Sequence, residues 1–193
     1  MDYKGVKKYI LNRLRNELDS NYTYHGVHHT LDVFKSVSHL CKKEKVNRKN
    51  TILLKTAALF HDSGFLFVYK GHEEKSCELA SEILPDYHYS PHDIEIIRGM
   101  IMSTQIPQSP RNELEEIICD ADLDYLGRDD FEPIAASLFQ ELANCKMVTD
   151  VDTWNNIQVN FIEAHQYFTQ TNKATREDKK QGHLLKLKEL INE

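Results

Sequence analysis

The stretch Ile52-Leu53-Leu54-Lys55-Thr56-Ala57-Ala58-Leu59-Phe60-His61-Asp62-Ser63-Gly64 decides how this chain folds. From Ile52 to Phe60 it is apolar nearly all round, which predicts a central buried helix with His61 and Asp62 at its C-terminal end and Gly64 ending it. An uncompensated buried carboxylate costs several kcal/mol, so both groups are either paired or bind a metal. Taken alone, the dipeptide also fits a histidine at a helix end and an aspartate capping the next turn.

Outward from that helix, apolar residues keep helical spacing. Val6, Ile10, Leu14 and Leu18 mark a first helix, and Leu31, Phe34, Val37 and Cys41 a second. Further helices are predicted over residues 73–84, closed by Pro85, and from Ser90 as N-cap with Pro91 at the first helical position. Another starts at Pro110 and carries Leu114, Ile117, Ile118 and Ala121 into Asp122, with Gly127 as its stop. Two long amphipathic helices follow over residues 130–146 and 152–167, and a last one over 175–191. No sustained period-two alternation is present. The expectation is an all-α fold forming one compact helical bundle over residues 1–193, a motif-bearing core at about 20–130 with C-terminal helices 130–192 packed on it.

Composition agrees. With 193 residues, 40% hydrophobic and 28% charged, the chain is neither disordered nor a disulfide scaffold. Its 30 acidic against 24 basic residues argue against a stable nucleic-acid complex, because phosphate binding needs local positive charge. No signal peptide or membrane span is read, and Cys41, Cys77, Cys119 and Cys145 lack a CxxC pair, so a cytoplasmic protein with reduced thiols and no thiolate zinc site is expected. Lys42, Lys43, Lys45, Arg48 and Lys49 read as a solvated helix end and turn. Trp154, Phe161, Tyr167 and Phe168 read as core rather than as a substrate platform, and His165 as an interior histidine.

Two more ionisable clusters join the His-Asp pair. In Tyr24-His25-Gly26-Val27-His28-His29-Thr30, three histidines sit at a helix start, with His25 and His29 four apart. In Cys119-Asp120-Ala121-Asp122-Leu123-Asp124, acids fall at every second position of an otherwise apolar segment, and Asp120 and Asp122 are not both comfortable in a core without a cation. Imidazole nitrogens with carboxylate oxygens suit Mn, Fe, Zn, Co or Ni, whereas Mg prefers oxygen-rich sites.

The order His29, His61-Asp62, Asp122 resembles the signature of the HD-domain metal-dependent phosphohydrolase superfamily. The segments Tyr24 to Thr30, His61-Asp62-Ser63-Gly64-Phe65, Gly71-His72-Glu73-Glu74-Lys75-Ser76 and Asp120 to Gly127 are similar to small bacterial HD proteins. The resemblance implies His29, His61, Asp62 and Asp122 as metal ligands, with Asp62 placed to bridge two metals or hold the attacking water. Asp122 is preferred to Asp120 because the family's last ligand follows an alanine, and Asp120 is then expected to orient a ligand histidine. His29 is preferred to His28 for its spacing from His25 and the following Thr30.

His25 is implied as the general acid for the leaving group, alongside a catalytic Asp62. His72 is assigned to a second metal, a phosphate or the site mouth. Six-ligand relatives carry one more histidine near Met102 to Gln105, where this sequence has none, so one divalent metal (Mn, Fe, Co, Ni, Zn or Mg) is favoured over two. The implied activity is hydrolysis of a phosphate mono- or diester of a small substrate, a nucleotide first, as a phosphodiesterase or nucleotidase. A metal-containing module that binds without catalysis is the alternative, and oxygenase chemistry is disfavoured by the missing histidine. Homo-oligomers are compatible with the sequence. Lys70, Arg98, Arg128, Arg176, Lys179 and Lys180 are the candidate cations to face the substrate, with surface exposure the expectation for most.

Overall fold

A computed structural model describes residues 1–192. Its helices are α1 (Tyr3–Glu17), α2 (Val27–Lys43), α3 (Arg48–Phe60), α4 (His72–Ile83), α5 (Pro91–Ser103), α6 (Glu113–Asp122), α7 (Phe131–Asn144), α8 (Val151–Ala164), α9 (Gln170–Thr175) and α10 (Glu177–Asn192). Three 3-10 turns, Ser63–Leu66, Leu84–Tyr87 and Asp124–Gly127, complete it. The fold is all-α, with no strand among the described residues.

The central helix is α3. Leu53, Leu54, Ala57, Ala58, Leu59 and Phe60 are fully buried, because α1, α2, α5 and α6 surround them. Small Ala57 and Ala58 allow that close approach of neighbouring helices. A second apolar cluster joins Tyr24, Leu126 and Phe131 to Trp154, Ile162, Leu184 and Leu187, so α7, α8 and α10 pack together beyond the end of α6.

Several helix ends differ from the expectation, each for a local reason. α6 starts at Glu113 rather than Pro110, because the Asn112 side chain accepts from the backbone N–H groups of Leu114 and Glu115. α8 stops at Ala164, and Tyr167 lies beyond it in extended chain. The last predicted helix is divided at Arg176, and its first part begins early, capped by Thr169 accepting from Asn172 N–H. Leu184 and Leu187 are buried, whereas Leu190 is exposed. α5 starts as predicted, with a capping box between Ser90 and Asp93. The basic run after α2 is exposed, as the sequence suggests.

Gly64 does not act as a simple helix stop. It lies in the 3-10 turn that follows Asp62, and a methyl group there would overlap the His72 carbonyl at the start of α4. Ser76 locks the same contact, donating to His61 O at 2.7 Å and accepting from Gly64 N–H at 2.8 Å. Gly71, at φ +78°, supplies the left-handed turn into α4. No helix among the described residues is long and apolar enough to cross a membrane. Cys41, Cys77 and Cys119 are buried free thiols, and Cys145 is a half-buried one.

Gly64→Ala is expected to cost about 3 kcal/mol or more, because backbone rather than a flexible side chain must move. Chemical denaturation checks it, and an unchanged midpoint would contradict the close approach.

Candidate metal centre

Three helix ends bring the ionisable clusters together. His61 caps α3, and its Nδ1 donates to Ala58 O at 3.0 Å, which leaves Nε2 of the neutral ring as a bare lone pair. His29 lies in the first turns of α2, where Gly26 caps the helix without a side chain. Asp122 is the last residue of α6, and Asp62 precedes the 3-10 turn.

Their polar atoms converge on the two imidazole Nε2 atoms. His29 Nε2 lies 3.2 Å from His61 Nε2, from Asp62 Oδ2 and from Asp122 Oδ1. His61 Nε2 lies 3.1 Å from Asp62 Oδ2 and 3.3 Å from Asp122 Oδ1. Asp62 Oδ2 is buried and makes no hydrogen bond of acceptable geometry.

These residues fit a divalent ion. Bonds of about 2.0–2.2 Å to nitrogen and oxygen place neighbouring ligand atoms about 2.9 Å apart at right angles and about 3.3 Å at tetrahedral angles. The observed separations fall in that interval, and an orphaned carboxylate oxygen aimed at two imidazole nitrogens is what a cation would satisfy. His29, His61 and Asp122 are the group that could hold a metal, and Asp62 Oδ2 approaches the same point.

Without a cation, protons perform the compensation. Burial pushes the His29 ring down, but Asp122 and Asp62 outweigh it and hold the ring up, at about 9. His61 is likewise held well above its usual value, against burial, by Asp62 and Asp122. Burial would raise both carboxyls, yet the two imidazoles keep Asp122 at about 2 and Asp62 far below the ordinary range. A metal must therefore displace imidazole protons as it enters.

Beside this cluster stands His25, whose Nδ1 donates to Glu141 Oε1 in a very short contact. Glu141 is fully buried, and its other oxygen accepts from the backbone N–H of Tyr24 at 2.8 Å and of His25 at 2.9 Å. Burial would raise the Glu141 carboxyl, but His25 and those two N–H groups hold it below the usual value. Phe65 stacks on His25 with ring centres 4.1 Å apart and on His72 at 4.0 Å. His72 Nδ1 donates to Tyr69 O, which turns Nε2 toward Asp62 Oδ1 at 3.6 Å and Glu73 Oε1 at 3.5 Å.

The other expectations meet the structure unevenly. His28 is exposed and outside the cluster. Asp120 orients no histidine: it is fully buried and accepts from the backbone N–H groups of Phe168 and Thr169 and from the Thr169 hydroxyl. Burial raises its carboxyl to about 6 against those donors. Two residues apart on a helix, Asp120 and Asp122 point to different faces. Trp154 and Phe161 pack as expected but also border a cavity of about 240 Å³ that contains His25, His72 and Asp62 on its wall. None of the six candidate cations borders it. Lys180 is buried, donating to His165 O at 2.8 Å, and Arg128 and Arg176 are tied to Asp124. Where the sequence lacks the further histidine, Thr104 lines the cavity. Glu141 and Glu73 escaped the sequence reading; a lone acid on the apolar face of α7 was the available signal for Glu141.

Comparison with known proteins places these features. The model of the HD domain matches residues 26–124. An uncharacterized protein of Clostridium beijerinckii is 32% identical over 97 residues, a match covering 49% of this chain and 61% of that protein. The chain thus spans about three fifths of the curated relative it matches. The crystal structure of a predicted HD superfamily hydrolase from an uncultured Thermotogales bacterium shares the fold, at a TM-score of 0.63 and 21% identity over 96% of this chain and 91% of that one.

Two outcomes are expected. Asp122→Ala should lower bound Mn or Co, measured by plasma mass spectrometry, at least tenfold, whereas Asp120→Ala should keep the metal and lose about 2–3 kcal/mol of stability. In the metal-free protein the raised His29 contributes stability that is complete below its usual 6.5 and is lost as pH rises through about 9. Melting temperature should fall across that window and level out when the metal is added; a metal-independent profile would contradict the shared point.

Proposed function

The chain belongs to the HD-domain family, and from that premise we propose that it is a metal-dependent phosphohydrolase of a small phosphate mono- or diester, nucleotides among the candidates. One observation carries the reading: the orphaned Asp62 Oδ2 beside the converging atoms of His29, His61 and Asp122, opening on a cavity. Those four residues would hold the ion. A divalent metal bound there supplies the Lewis acidity that acidifies water and polarises a phosphoryl oxygen.

The remaining work belongs to the chain. Asp62 has its second oxygen, Oδ1, directed toward His72 and away from His29, so it is available to orient the attacking water. Glu141 accepts the Nδ1 proton of His25 and fixes the ring plane, which leaves Nε2 to carry the proton given to the departing alkoxide oxygen. Phe65 keeps that ring at a set position by stacking on it. The apolar wall excludes bulk water from the leaving-group side.

A hydrolysis screen with bis-p-nitrophenyl phosphate, p-nitrophenyl phosphate and nucleotides, run with Mn, Co, Ni, Mg or Zn beside Asp62→Ala, tests the reading. Metal-dependent turnover abolished in Asp62→Ala is the expected result. A metal-loaded, folded protein that matches Asp62→Ala on every ester would leave a binding module instead. His25→Ala should lower kcat about 10²–10⁴-fold for alkyl esters and much less for p-nitrophenyl esters, whose leaving group needs no proton.

A further inference from the structure

Away from Asp62 and Asp122 the cavity continues as an apolar chamber. Its wall, built by α7 and α8, presents Phe131, Ala135, Leu138, Trp154 and Phe161, with Gln158 the one amide among the described residues. Exposed Ile106 and Ile157 stand among the bordering residues, giving an apolar rim. Among the described residues no lysine or arginine borders the chamber, whereas the carboxylates of Asp62, Glu73 and Asp122 do.

Charge and size then restrict the occupant. A phosphate monoester carries about two negative charges at neutral pH; a divalent ion would ligate its oxygens, and the His25 and His72 rings stand on the same wall as hydrogen-bonding groups. Each further phosphate would add charge facing only carboxylates and hydrocarbon, with no cation to compensate. The volume of about 240 Å³ is below the roughly 300–1,000 Å³ that encloses drug-sized ligands. Hydrogen-bonding edges are also poorly served. The Thr104 hydroxyl donates to Ile101 O, and along the wall built by α7 and α8 a sugar or base meets Gln158 amid hydrocarbon and aromatic rings. Every polar group left unpaired there costs about 1–3 kcal/mol.

We propose that this chamber selects a singly phosphorylated ester whose organic group is apolar, about one aromatic ring or a short alkyl chain, and rejects nucleoside di- and triphosphates. The proposal rests on the hydrolase reading and narrows its substrate. The sequence alone favoured a nucleotide; the wall of α7 and α8, outside residues 26–124, favours a less polar group.

The test compares kcat/KM of the metal-loaded protein for phenyl phosphate, hexyl phosphate, AMP, ADP and ATP, and measures phenylphosphonate binding by calorimetry. Phenyl and hexyl phosphate are expected at least tenfold above AMP and at least a hundredfold above ATP. Ala135→Trp, which fills the chamber, should lose phenylphosphonate binding at least tenfold with metal content unchanged. Leu138→Lys, on the half-buried wall, should raise the ADP to phenyl phosphate ratio, so the proposal does not hang on one variant's folding. AMP or ATP used as well as phenyl phosphate would overturn the substrate class and leave the hydrolase standing. No turnover of any ester, with phenylphosphonate still bound and lost in Ala135→Trp, would overturn the hydrolase reading and keep the chamber's selectivity. Absence of phenylphosphonate binding would overturn the chamber reading.

Discussion

Imidazole nitrogens and carboxylate oxygens gathered inside a protein repel one another unless protons or a cation stand between them. That constraint organises the molecule. His29, His61, Asp62 and Asp122 arrive from the start of one helix and the ends of two others, and the 3.1–3.3 Å separations of the two imidazole nitrogens from each other and from the two carboxylate oxygens are kept only while those helix ends stay in place. The hydrophobic packing around α3 supplies the rigidity. Its fully buried face seats α2 and α6 on either side, and the Gly64 contact with the His72 carbonyl fixes the backbone that follows Asp62.

The chemistry divides along the chain. The residues whose polar atoms converge lie within 26–124, while the carboxylate that orients His25 and much of the chamber wall come from α7 and α8. The convergent ionisable atoms and much of the apolar wall beside them thus sit on different stretches of chain. Glu141 is their joint, since one buried carboxylate links α7 to the backbone and ring at His25.

Much of this was legible before the structure. The all-round apolar character of residues 52–60 identified the central helix, because a helix with no polar face has nowhere to go but inside. The clusters at His29, His61-Asp62 and Asp122 were visible because ionisable residues interrupt apolar runs, and they do meet. Asp120 misled for a physical reason: the acceptors it satisfies are backbone N–H groups 48 and 49 positions away, which no local pattern announces. Glu141 was hidden by the same distance, 116 residues from its partner. Trp154 and Phe161 were read as packing, and they do pack; that one face of them also borders open space is a property of the assembled helices, not of their spacing.

The two aspartates at the end of α6 carry one more consequence. Asp122 belongs to the ionisable cluster, while Asp120, two residues earlier, holds the segment of Phe168 and Thr169 and, through its carbonyl, Asn172. A single turn of helix therefore serves as a hinge pin between the cluster and the C-terminal region. Opening of that region and loosening of the cluster are expected to form one cooperative unit in the sense of amide exchange: whatever pins Asp122 should also slow exchange at Phe168 and Thr169, far along the chain but one helix end away.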